Sequence, residues 1–294
     1  MRLGFLTTLA GLMVLAVALI GGCSSDDRSI SAPPVVYGSN DDPEFVPVKA
    51  QIDSVLGDVV GDVFDGLDEL GTAPGEPENA RADLSPSRDN PIDTDPDTLI
   101  VVYLNDWYFV YACHRGPVYY ALRRDSLQYQ IDGTPVEIPN SNVDLIHVID
   151  NWTFTAVNQN VSHVDYAGRN EFVISDLDQL TAQITGTANH NIAADYIGTD
   201  TSLTACFSFN ATVTNLAVTK VGDTWSSGCP SSGGVAMTLA YVFSWSNGTS
   251  IGNGSSTWEV TATFDDGEAT VTASNGETTW QYQCQVCLMP QGTN

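Results

Sequence analysis

From Leu99 to about Cys287 apolar residues recur at every second position, and glycine, asparagine and aspartate interrupt the pattern at short intervals. That period sends successive side chains to opposite faces of an extended chain, so the region reads as β-strands with one apolar and one wet face. The last three strands can be registered by hand. Trp258, Val260, Ala262 and Phe264 alternate with Glu259, Thr261 and Thr263, and Asp266-Gly267 follows as a two-residue hairpin turn. Folding there sets Phe264 opposite Ala269, Ala262 opposite Val271, Val260 opposite Ala273 and, on the other face, Thr263 opposite Thr270. Asn275-Gly276 reads as a second such turn, placing Val271 opposite Trp280, Ala269 opposite Tyr282 and Thr272 opposite Thr279. Both turns keep the apolar face in phase, which a slip of one residue would destroy.

Similar alternation recurs upstream. Val235, Met237, Leu239, Tyr241, Phe243 and Trp245 share one face, as do Leu203, Ala205, Phe207, Phe209, Ala211 and Val213. Trp107, Phe109, Tyr111 and Cys113 share a parity, and so do Trp152, Phe154 and Ala156. Helical crossovers are not evident between these runs. The expected fold is mainly β: a large antiparallel meander sheet of about a dozen strands, barrel-like or a sandwich. A bilayer-spanning barrel is disfavoured, because the final hairpins are shorter than the roughly ten-residue strands it needs.

Before the strands, Val48, Ile52, Val55, Leu56, Val59, Val60, Val63, Phe64, Leu67 and Leu70 recur at three- and four-residue spacing, predicting one amphipathic helix over 44–70. Its other face carries Asp53, Asp58, Asp62, Asp65, Asp68 and Glu69. Like-charge i,i+4 pairs and three glycines weaken it, so it needs a surface to bury its apolar side, and the following domain is the expected one. Residues 71–97 combine five prolines with many acids and read as a linker. Asp93, Asp95 and Asp97 alternate like the start of a calcium loop, but Thr98 and Leu104 stand where Gly and Glu belong.

The first 25 residues have a separate logic. Arg2 precedes an apolar stretch from Leu3 to Ile20, and then Gly21, Gly22 and Cys23 follow. Charge, apolar core and small residues in that order are the layout of a secretory signal peptide. The run Leu19-Ile20-Gly21-Gly22-Cys23 resembles the lipobox of bacterial lipoproteins. The resemblance implies removal of residues 1–22, acylation of Cys23, and attachment of the mature chain to the cell envelope through that lipid. With Ser24 and Ser25 next, the outer membrane is expected if the host has two membranes. Residues 23–43 then form a flexible stalk, 98–288 the β domain and 289–294 a tail.

Charge narrows the partners. Thirty-six acids face ten Lys or Arg, for a net −26 that becomes −27 once Arg2 is removed. Such a surface repels nucleic acid, which needs a basic stripe, and also repels anionic headgroups. The domain is therefore expected to stand off the bilayer that holds its lipid. The remaining partner classes are an envelope protein, a polysaccharide or a small apolar ligand, and no cofactor is expected.

Five cysteines remain after Cys23. In an oxidising compartment Cys206, Cys229, Cys284 and Cys287 are candidates for disulfides, with Cys113 left as a buried free thiol. Cys284-Gln-Val-Cys287 has redox spacing but ends a strand instead of opening a helix. Gly248-Thr249-Ser250-Ile251-Gly252 matches a hydrolase elbow, yet His114, His147, His163 and His190 all precede Ser250 and a strand follows it. His163 and Asp165 lie on one strand face and could be joined by His147 or His190, without the spacing of a metal site. Five Asn-x-Ser/Thr triplets (Asn151, Asn160, Asn210, Asn247 and Asn253) read as surface residues of strands and loops. No metal ligands or catalytic residues are assigned. The expected function is a non-catalytic envelope lipoprotein with a structural or binding role. A carrier of an apolar ligand in a barrel cavity is the alternative, and a hydrolase ranks last.

Overall fold

In the computed structural model the described residues are 36–43, 45–71, 98–140, 142–157, 163–198, 200–220 and 230–285. The elements in chain order are β1 (Val36–Tyr37), α1 (Val46–Gly71), β2 (Thr98–Leu104), β3 (Trp107–Arg115), β4 (Tyr119–Ile131), β5 (Thr134–Val136) and β6 (Leu145–Ala156). They continue with β7 (His163–Ser175), β8 (Thr181–Ile197), β9 (Ser202–Thr219), β10 (Pro230–Ser246), β11 (Ile251–Asp265), β12 (Glu268–Ser274) and β13 (Thr278–Gln285). All the strands join one 13-stranded sheet in the order β1-β13-β12-β11-β10-β9-β8-β7-β6-β4-β3-β2, with β5 attached to β4. Every pairing is antiparallel except that of β1 with β13. The sheet is open, with β1 at one edge and β2 at the other, so it is sandwich-like and not a closed barrel.

One face of the sheet is the core face, and α1 lies on it. Phe45, Ile52, Leu56 and Val60 are fully buried and belong to the same cluster as Phe207, Leu239, Val260, Val271 and Trp280 of the strands. Phe45 stacks on Trp280 at 4.8 Å and meets Tyr282 edge-on at 5.9 Å. Tyr282 Oη–H donates to Asp53 Oδ1 at 2.9 Å, and Asp53 also pairs with Lys49 at 2.6 Å. The helix, inadequate alone, thus forms the second layer that a one-sided sheet requires. The outward residues of β9–β13, such as Asn210, Thr212, Thr238, Glu259, Thr261, Thr263 and Gln281, face solvent or a polar surface. That is the reverse of the apolar outer belt of a membrane barrel.

A line of irregularities bends the sheet. Pairing shifts between Ile184 and Gly186 of β8, and again between Pro230 and Gly234 of β10, both opposite β9. At the same level Asn215 of β9 takes φ 46°. Past it the buried parity changes from Ala211 and Val213 to Leu216 and Val218, as an extra residue in a strand must cause. Gly233, at φ 102°, sits where a Cβ would lie 2.3 Å from the Asn215 carbonyl oxygen.

Three sequence expectations need correction. The β11–β12 register is as read, with Phe264↔Ala269 and Thr263↔Thr270. The next hairpin is displaced by two residues, giving Ala273↔Trp280, Val271↔Tyr282 and Thr272↔Gln281. Asn275 Oδ1 accepts from the amides of Glu277 and Thr278, and this local bond opens the turn to four residues while preserving the faces. The first hairpin is reversed: Val110, Ala112 and His114 are buried on the core face, whereas Phe109 is 43 % exposed. Finally, Val36–Tyr37 lies within the expected stalk but pairs with β13, and Gly38 N donates to Thr279 O.

Phe45→Ala removes the side chain that joins helix to sheet. It is expected to lower unfolding free energy by about 3–5 kcal/mol in urea titration. A loss below about 1 kcal/mol would show that the helix contact is dispensable.

Candidate functional site

The core face of β4, β6, β7 and β8 departs from the aliphatic rule. Register sets Asp125 opposite Asp150 and Asp150 opposite Asn170. Two residues along, Arg123 faces Trp152, Trp152 faces Gly168, and Gly168 faces His190. Alternation alone brings these side chains to the inner side, beside Leu127, Phe172 and Ile192. Asp125, Asn170 and His190 are 4 %, 2 % and 7 % exposed.

Burying such groups demands partners. Arg123 Nε lies 2.5 Å from Asp125 Oδ2 and 3.4 Å from Asp150 Oδ1, so one guanidinium serves two carboxylates on neighbouring strands. Burial alone would raise the Asp150 pKa. The Arg123 charge, with its hydrogen bond to this carboxylate, outweighs it and holds the carboxyl below the usual carboxylate range. Burial pushes His190 down to about 4 against the opposing pull of Asp150, so the ring is neutral near pH 7. Asn170 Oδ1 can only accept, so His190 Nε2–H donates to it at 2.8 Å. Nδ1 then accepts from the Tyr166 hydroxyl.

Aromatic rings close the site. Trp152 stacks on Tyr166 at 4.0 Å, and His190 stacks on Phe209 at 4.3 Å. Gly168 makes room for the indole, since a Cβ there would meet Trp152 at 2.9 Å. The arrangement is an ion triad next to a neutral histidine with both nitrogens engaged. Chemically it can fix strand register and ring orientation, because any slip would strand a charge against the apolar layer.

The residues singled out from sequence lie elsewhere or apart. His163 Nδ1 and Asp165 Oδ2 do meet, at 3.3 Å, on the outer face. Thr155 Oγ1 donates to Asp165 at 2.8 Å beside a shallow depression of about 260 Å³ lined by Thr153, Ala167, Asn191 and Ala193. His147 is on the outer face near the opposite end of its strand, 3.4 Å from Glu171, and His190 is on the inner face. The three histidines therefore do not converge. Ser250 closes a tight loop in which Asn247 Oδ1 accepts from the Thr249 and Ser250 amides, and β11 follows directly instead of an elbow's helix.

Cys113 is a buried free thiol, as expected. Cys206 and Cys284, two of the four disulfide candidates, are free as well, and Cys229, Cys287 and Cys23 lie outside the described residues. Cys206 sits at an outward position of β9, opposite Val242 and Ala193. Burial first, then the Asp53 carboxylate, push Cys284 up to about 11. A redox pair needs the contrary shift.

Sequence reading missed Arg123, Asp125, Asp150 and Asn170. The available signal was a charge at core parity: Arg123 and Asp125 precede Leu127 and Tyr129, and Asp150 lies between Val148 and Trp152. Compared with known proteins, the chain matches no family model, no curated protein and no solved structure.

Because His190 is lowered to about 4, the unfolded chain binds a proton between there and 6.5 that the native chain refuses. Stability from this residue is complete above pH 6.5 and falls by up to about 3 kcal/mol as pH drops through that window. Asp150, also lowered, acts in the same direction further down. Urea titrations across the window should show that slope in the native protein and its loss in His190→Gln. An equal slope in both would refute the assignment.

Proposed function

We propose that this chain is a non-catalytic lipoprotein of the cell envelope, acylated at Cys23, whose β domain acts by contact. The observation that carries the contact reading is on the outer face of β2 and β3. There Ile100, Val102, Leu104 and Phe109 are 43–56 % exposed side by side, against the polar outer face of β9–β13. Contiguous apolar surface of this kind marks interaction sites.

Two features support contact, one over turnover and one over ligand carriage. Both nitrogens of His190 are spent on Tyr166 and Asn170, so the ring keeps no lone pair with which to take a proton from a substrate. The side chains of α1 occupy apolar core face that a carried ligand would need, and the sheet is open where a carrier barrel would be closed. The envelope address rests on the lipobox-like run at Cys23, with the outer membrane as destination in a host with two membranes.

Metabolic labelling with palmitate tests the anchor. The native chain should take up label and enter the detergent phase of a Triton X-114 separation, and Cys23→Ser should do neither. Label retained by Cys23→Ser, or a native chain left in the aqueous phase, would overturn the reading.

A further inference from the structure

The apolar patch has an unusual charge setting. Residues 98–124 hold one of the 36 acids, Asp106, but three of the ten basic residues, Arg115, Arg123 and Arg124. Arg123 turns inward to the ion triad. Arg115 and Arg124 are exposed on the outer side, with Arg115 5.7 Å over the Tyr120 ring and Arg124 opposite Tyr111. Ile100, Val102 and Leu104 of β2 face Tyr111, Phe109 and Trp107 of β3 in register, so aliphatic, aromatic and basic groups share one surface. Asp106 and Glu137 stand near Tyr103 at the Leu104 end, away from the arginines.

We infer that this outer face of β2–β4 is a docking surface for an anionic phospholipid bilayer, deepening the contact reading above on which it rests. Aliphatic side chains enter the acyl boundary, Trp107 and Tyr111 suit the interface, and Arg115 and Arg124 meet the headgroup phosphates. The domain then lies against the membrane at this face instead of standing off it, despite the net −27 of the chain once Arg2 is removed. The tether permits this: the residues between Cys23 and Val36 span at most about 45 Å when fully extended, so β1 stays within that distance of an acylated Cys23. A second copy is the weaker occupant. Pairing two patches adds one strongly acidic chain to another, whereas anionic lipid complements the local basic charge of Arg115 and Arg124.

The test uses the mature chain, residues 23–294, carrying Cys23→Ser so that no acyl group contributes. Vesicles of phosphatidylcholine alone and of phosphatidylcholine with phosphatidylglycerol are the probes, read by co-flotation and by the tryptophan emission shift. Binding should favour the anionic vesicles by about tenfold or more and weaken with salt. Val102→Ser with Phe109→Ser, and separately Arg115→Glu with Arg124→Glu, should each lower binding by about tenfold, with an unchanged circular dichroism spectrum and unfolding midpoint. These positions are exposed, so loss of fold does not mimic the result. Equal or absent binding to both vesicles, or binding that survives both variants, overturns the bilayer assignment. Dimers in sedimentation velocity that Val102→Ser with Phe109→Ser abolishes would give the patch to a second copy, overturning the bilayer assignment while sparing the contact reading. Failure of palmitate labelling would strike the anchor alone.

Discussion

Burial of one helix face against one sheet face is the interaction on which the structure depends. A single antiparallel sheet with Phe207, Leu239, Val260, Phe264 and Val271 on one side cannot leave that side in water. Helix α1 supplies the missing layer, and its acidic composition and glycines make it equally dependent on the sheet. Phe45 between Trp258, Trp280 and Tyr282 sets the position, and Asp53, reached by both Lys49 and Tyr282, sets the orientation. The short parallel strand β1 leads into this arrangement along the edge of β13.

Away from the aromatic cluster around Phe45, a different device appears. On β4–β8 the inner face carries Arg123 paired with Asp125 and Asp150, and beside them His190 bonded to Asn170. A buried ion network of this kind is weak evidence of net stability, since desolvation offsets much of the attraction. Its consequence here is specificity of register: the long strands β6, β7 and β8 could otherwise slide, and each charged residue has its partner in one alignment only. The bulges at Gly186, Asn215 and Gly233 act with it by re-aiming side chains where the sheet bends. The same half of the sheet presents apolar residues outward at β2 and β3 as well as inward to the core.

The wet-outside strands were legible because their two parities differ in chemistry. Glu259, Thr261 and Thr263 against Val260, Ala262 and Phe264 leave one answer, and the structure has it. The helix was legible for the same reason at a period near 3.6, down to its need for the following domain. The first hairpin was not. In Trp107–Arg115 both parities are apolar or aromatic, so alternation carries no sign and neighbouring strands decide which side is buried. The slide in the last hairpin came from Asn275, whose side-chain bonds compete with the two-residue turn. The ion triad escaped because its members are close only across strands, at separations that pattern reading does not connect. A charge at an apolar parity was the sole local sign.

Hydrogen exchange resolved by residue tests the helix–sheet dependence most directly. If the helix is the sheet's second layer, amides from Ile52 to Val60 share one opening free energy with those of β11 and β12, and all rise and fall together with denaturant. Helix amides that exchange freely while β11 and β12 remain protected would contradict it, for the sheet would then keep its structure without the layer that covers it.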